Sequence, residues 1–160
     1  MFEIYDNFLE KEVFKTIQSK TIGPNAMPWY YTENLSGNGV EENCYFTHLF
    51  FNNNARTSEW FSVIEPIVFI LDCKSLVRIK ANLYPRTENL VHHKNHVDYE
   101  FDHTAAIFYL NTNDGFTVIN DEHKIESIEN RLLVFDPQVI HHSTNCTDNH
   151  FRANINFNYF

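Results

Sequence analysis

Two short stretches hold the groups most suited to metal chemistry: His96-Val97-Asp98, and the doublet within Val139-Ile140-His141-His142-Ser143. Residues two apart on an extended strand point to the same side, so the imidazole of His96 and the carboxylate of Asp98 can grip one ion. A histidine of the doublet adds a third ligand some 43 residues after Asp98. Two imidazoles and one carboxylate on one side of a metal leave its other positions open, which suits non-haem Fe(II) working with O₂ and a chelating co-substrate. A closed structural zinc site would take four protein ligands, usually with thiolates. Cys44, Cys73 and Cys146 stand at unrelated spacings and read as reduced thiols, small buried hydrophobes rather than a ligand set.

Arg152 lies eleven residues beyond His141, in the run Phe151 to Tyr159. Alternation puts Arg152, Asn154, Asn156 and Asn158 on one face of a strand, and Phe151, Ala153, Ile155, Phe157 and Tyr159 on the other. An arginine turned into a β interior needs an anion, because an unpaired buried charge costs on the order of several kcal/mol. A dicarboxylate co-substrate would supply it through a bidentate contact.

The elements that must position these groups follow from periodicity. Leu9 to Ser19 sets Leu9, Val13, Phe14 and Ile17 on one helical face, and Thr57 to Leu71 does the same with Trp60, Phe61, Ile64, Ile67, Val68 and Leu71, with Pro66 inside. From Ser75 onward the chain reads as all β, with strands over Leu76 to Tyr84, Thr104 to Leu110, Phe116 to Ile119, Arg131 to Phe135 and Phe151 to Phe160. In Val77 to Tyr84 the alternation sets Tyr84 beside Asn82 on a polar face that can line a wet pocket. Between the helices, Pro28-Trp29-Tyr30-Tyr31 precedes the glycine-containing stretch Ser36 to Asn43, a candidate substrate flap.

With 160 residues, 43% of them hydrophobic, and no repeat or linker, the chain reads as one domain with one core. The net charge of −9 leaves no basic surplus for phosphates, which disfavours a nucleic-acid partner. Met1 to Asp6 lacks the basic and apolar parts of a signal peptide, and the longest apolar stretch, Trp60 to Leu71, is interrupted and too short for a bilayer. A cytoplasmic protein without a membrane segment is expected; no pattern sets an oligomeric state. His92, His93, His103, His123 and His150 read as solvated surface, His48 as a hydrogen-bonded strand residue, and Arg131 with Asp136 as a structural ion pair.

Together these residues resemble the prolyl 4-hydroxylase-like branch of the Fe(II)/2-oxoglutarate dioxygenases, particularly its short stand-alone bacterial and phage-type members. The matched elements are Ile79 to Pro85, His96-Val97-Asp98, Thr104 to Asn111 with Asp114-Gly115, Asn130 to Asp136, His141, and Arg152 to the end. The resemblance implies a mainly β fold with N-terminal helices, a double-stranded β-helix or jelly roll. Residues 1–75 would give helical support and the flap, and 76–160 the β-helix. It implies His96, Asp98 and His141 as iron ligands, Arg152 and Tyr109 on the distal carboxylate of 2-oxoglutarate, and Tyr84 near its chelating end. Counting five residues past Asp136, the match and the strand face favour His141 over His142. Read from the residues alone, Tyr109 is also accounted for as core with a satisfied hydroxyl. The implied activity couples oxidative decarboxylation of 2-oxoglutarate to hydroxylation of a C–H bond in a peptide, such as a peptidyl proline, or a small molecule. The competing classes are a non-catalytic β-barrel that binds a metal or small acid, and a zinc hydrolase, for which no general base stands at a defined offset.

Overall fold

The computed structural model describes residues 1–32 and 44–160; the candidate flap stretch from Ser36 to Asn43 lies outside the described residues. In chain order the elements are β1 (Phe2–Tyr5), α1 (Lys11–Ile22), β2 (Tyr30–Thr32), β3 (Tyr45–Asn52), β4 (Ala55–Arg56), α2 (Phe61–Ile70), β5 (Leu76–Pro85), β6 (Thr104–Tyr109), β7 (Phe116–Ile119), β8 (His123–Glu126), β9 (Leu132–Phe135), β10 (His141–Ser143) and β11 (Phe151–Tyr159). The main sheet runs β1-β9-β6-β11-β5-β3-β2 with β4 hydrogen-bonded to β3, and a smaller sheet runs β10-β7-β8. Neighbouring strands pair antiparallel. The architecture is the expected double-stranded β-helix.

Each face of the main sheet has its own core. On one, Ala153, Ile155 and Phe157 of β11 and Phe108 of β6 pack against Phe14 and Ile17 of α1 and Ile64 and Ile67 of α2. On the other, Ala105, Ile107 and Tyr109 of β6 meet Ile119 and Ile125 of the small sheet. The alternation of β11 therefore separates two interiors rather than core from solvent. Arg152, Asn154 and Asn158 on its polar face are as buried as its apolar residues. Burying that face requires polar partners, and they are present in part: Asn82 Nδ2 donates to Asn154 Oδ1 at 3.1 Å and His103 Nε2 meets Asn158 Oδ1 at 2.8 Å, while Arg152 Nε, Asn156 Oδ1 and Asn158 Nδ2 have no partner among the described residues.

Both helices form near their expected places. α2 begins at Phe61 rather than Thr57, and Val13 of α1 stays exposed. The first half also supplies strands, of which only the one around His48 was expected. β3 pairs with β5, and β1 pairs with β9, so both join the main sheet. A register shift between Leu49 and Phe51 breaks the alternation of β3, and three of the four residues of β1 are exposed, which leaves neither with a period-two signal. The β1–β9 pairing also corrects the expected ion pair of Arg131. Its Nε and Nη2 donate to the two carboxylate oxygens of Asp6, at 2.6 and 3.0 Å, while Asp136 accepts from the backbone of Gln138.

Candidate active site

His96 and His141 face each other across an antiparallel β-bridge, each backbone N–H donating to the other's carbonyl at 3.0 Å. Directly opposed residues project to the same side of a sheet. The two imidazoles accordingly lie with ring centroids 4.4 Å apart, and Asp98 joins them: one ligand atom from each of the three falls within 4.8 Å of the others. His96 Nδ1 lies 3.2 Å from the carbonyl of Lys94, and His141 Nδ1 lies 2.9 Å from that of Val139. A carbonyl only accepts, so each Nδ1 carries a proton, and in the neutral ring that tautomer puts the lone pair on Nε2, the atom free for a metal. Burial lowers the pKa of His141 and favours the neutral, ligating form.

The second histidine of the doublet is committed elsewhere. His142 Nδ1 meets Asn95 Oδ1 at 2.6 Å, and its Nε2 meets His92 Nδ1 at 3.0 Å. With Nδ1 donating to the amide oxygen and Nε2 accepting from His92, no lone pair remains for an ion.

Arg152 is wholly buried, and no carboxylate lies within ion-pair distance of it among the described residues. Its Nη1 donates to Ser143 Oγ and, at 3.1 Å, to the carbonyl of Thr144, and its Nη2 donates to Thr117 Oγ1 at 3.0 Å. A guanidinium has five N–H donors. Nε has no partner among the described residues. A buried guanidinium with an unmet N–H beside Nη2 has the edge from which a carboxylate can accept. Thr117 extends the demand. Its oxygen accepts from Arg152 and from the Tyr109 hydroxyl, the latter at 2.8 Å, so both lone pairs are engaged and its own proton is left to donate.

These groups surround one cavity enclosing about 580 Å³ of empty space, part of it open to solvent. His96, Asp98, His141 and Tyr84 line it, with Thr117 and Ser143 from the strands of the small sheet. Arg152 and Tyr109 lie behind that lining, each with no exposed surface. The Tyr109 hydroxyl thus reaches the cavity through Thr117. Tyr84 stacks on Tyr45 with ring centroids 5.6 Å apart, and burial raises its pKa, keeping the phenol neutral. Trp29 packs against the helix-side core and donates its indole N–H to Thr21, while Tyr30 and Tyr31 are exposed on β2 at the sheet edge.

One histidine assigned to the surface belongs to the cavity. His93 lines it, 4.8 Å from the Tyr84 ring, and burial, reinforced by the charge of Arg152, holds its pKa down to about 3. His48 is the expected strand residue, bonded to the carbonyl of Pro28 and to Ser58 Oγ at 2.7 Å each. Thr117 and Ser143 were missed, although one signal was available: Thr117 is the lone polar residue in Phe116-Thr117-Val118-Ile119.

No family model matches the sequence, and no curated protein matches it. Among solved structures the chain is similar over 99% of its length to a prolyl hydroxylase from Trichoplax adhaerens in complex with a hypoxia inducible factor peptide fragment, with 14% identity, 83% of that chain covered and a TM-score of 0.71. A 2OG-Fe(II) oxygenase family oxidoreductase from Burkholderia pseudomallei is similar at 8% identity, with 99% of this chain and 84% of that one covered and a TM-score of 0.70. The 2OG complex of a viral collagen prolyl hydroxylase from Paramecium Bursaria Chlorella virus-1 is similar at 13% identity, covering 98% and 94%, with a TM-score of 0.64. The chain has the fold that these prolyl hydroxylase and 2OG-Fe(II) oxygenase structures share. Among the described residues, no helix is long and apolar enough to cross a membrane.

Proposed function

We propose that this chain is an Fe(II)- and 2-oxoglutarate-dependent dioxygenase, with His96, Asp98 and His141 as metal ligands and Arg152 as the anchor of the co-substrate. The observation that carries the reading is a fully buried arginine, lacking a carboxylate partner among the described residues, behind the same cavity that holds two imidazoles and a carboxylate within 4.8 Å. The donor set fits Fe(II): two neutral nitrogens and one carboxylate, with no thiolate. When bound, Fe(II) and 2-oxoglutarate supply the activation of O₂ that couples decarboxylation to succinate and CO₂ with hydroxylation of a C–H bond.

The chain's own part is orientation. Lys94 and Val139 carbonyls fix the tautomers of His96 and His141. Arg152 and the Thr117 hydroxyl offer donors to the distal carboxylate, and Tyr109 holds Thr117 from behind. Tyr84 of β5, expected near the chelating end, is instead level with Arg152, its ring centre 5.6 Å from the guanidinium carbon, and belongs to the anchoring end. The buried guanidinium requires an anion, and only the keto-acid end of the co-substrate can chelate a metal, so the two together set its direction. The substrate is a peptide or a small molecule; proline-containing peptides are the first to try, since one structural neighbour holds a peptide fragment.

The test is to load the protein with Fe(II) under anaerobic conditions, add 2-oxoglutarate and follow the absorption of the chelate, then admit O₂ and measure succinate. A chelate band and metal-dependent succinate are expected. Metal binding without a chelate would leave a non-catalytic metal-binding barrel.

A further inference from the structure

The cavity runs against the charge of the protein around it. The chain carries a net charge of −9, yet Arg78, Lys80 and Lys94 line the cavity, and Asp98 is the one acidic residue among its described lining. Arg78 Nη2 lies 3.4 Å from Asp98 Oδ1, a long contact, and its buried Nε has no partner among the described residues. Lys80 makes no ion pair or hydrogen bond within the described residues, and its ammonium lies 5.7 Å from the centre of the Tyr45 ring.

Position along β5 separates these cations from the co-substrate anchor. Tyr84 is level with Arg152, whereas Lys80 is level with Asn156 and Arg78 with Asn158. At a rise of roughly 3.3 Å per residue, Lys80 and Arg78 begin about 13 and 20 Å along the strand from that anchor. A five-carbon diacid spans roughly 5–7 Å by ordinary bond lengths. Once Asp98 and the near end of the co-substrate are engaged by a metal, Arg78 and Lys80 retain no carboxylate of their own. Asn156 lies beside them, with a buried side-chain oxygen that no described donor meets.

Resting on the 2-oxoglutarate reading above, we propose that Arg78 and Lys80 form the substrate subsite and take a carboxylate-bearing substrate, with Asn156 accepting from an N–H next to that carboxylate. The anionic group then lies at the Asp98 end of the cavity, away from Arg152 along β5, with the C–H bond to be hydroxylated beside the metal ligands. A short acidic metabolite, a chain-terminal carboxylate and an acidic side chain share this chemistry.

The experiment is calorimetric binding to Fe(II)-loaded, anaerobic, 2-oxoglutarate-saturated protein. The probes are N-acetyl amino acids with a free α-carboxylate, N-acetyl aspartate and glutamate amides, short dicarboxylates, and the methyl ester of each. At least one free acid is expected to bind, its ester about tenfold or more weaker, and the arm that binds identifies the source of the carboxylate. Lys80→Gln and Arg78→Gln should weaken that acid about tenfold while weakening 2-oxoglutarate less. Acids and esters binding alike, no acid binding, or variants that weaken 2-oxoglutarate as much as the acid would overturn the proposal. Failure of the underlying reading appears separately, as no 2-oxoglutarate binding by the metal-loaded wild type. Acid binding to metal-loaded protein without 2-oxoglutarate then decides the subsite.

Discussion

A Cβ built on Gly115 would stand 2.6 Å from Cδ of Arg152, and also 2.2 Å from the carbonyl oxygen of Asn145. The buried arginine lies along the backbone of the turn before β7, and that close approach needs a residue without a side chain. Gly115→Ala forces the arginine or the Asn145 backbone to move. Overpacking of this kind costs about 1–3 kcal/mol. Urea unfolding should show that loss, and anaerobic titration should show 2-oxoglutarate weakened more than Fe(II).

Arg152 itself separates co-substrate binding from metal binding. Arg152→Ala should weaken 2-oxoglutarate by about 2–5 kcal/mol, as for truncation of a buried charge pair. Arg152→Lys keeps the charge but loses the planar fork, so it should recover only part of that affinity. Fe(II) affinity should change little in either. Equal 2-oxoglutarate affinities for wild type and Arg152→Ala, read from the chelate absorption, would sink the assignment.

The doublet gives a direct test of register. His141→Ala removes a proposed ligand and should lower Fe(II) affinity more than about 100-fold, the upper range for losing a group that only supports a ligand. His142→Ala removes the bonds to Asn95 and His92 and should cost less than about tenfold. A competition titration against a colorimetric chelator measures both. The reverse order would move the ligand to His142.

His93 predicts a pH dependence in the metal-free protein. Its folded pKa is held down to about 3, while an unfolded imidazole titrates near about 6.5. Between those values the unfolded state binds more protons, so stability rises with pH there. The contribution is fully present above about pH 6.5 and is lost as pH falls toward about 3. Carboxylates titrate in the lower part of that window, so the measure is a difference. Urea midpoints at pH 7, 5.5 and 4.5 should fall more steeply for wild type than for His93→Gln; parallel curves would contradict the burial of this imidazole.

Alternation was enough to read β5 and β11. In both, successive side chains enter different environments, and apolar and polar residues take turns along the run. The same argument reached Arg152 and Tyr84, whose direction follows from strand parity. It failed for β3, where a register shift breaks the parity, and for the three-residue β10, too short to show a period.

By itself the sequence determined which residue types are available, in what order, and which side of a strand each takes, because those properties are local to the chain. The inward arginine is a statement of that kind; His96 and Asp98, expected two apart on one strand, lie instead on an isolated bridge and a bend, so strand parity is not what brings them together. Tertiary structure alone decided the partners. Asn95 and His92 commit His142 and leave His141 free, Thr117 joins Tyr109 to Arg152, His93 is drawn into the cavity, and Asp6 rather than Asp136 meets Arg131 across 125 residues. Each depends on which strands lie side by side. That is set by burying two apolar faces of one sheet at once, a condition on the whole chain that no local window contains.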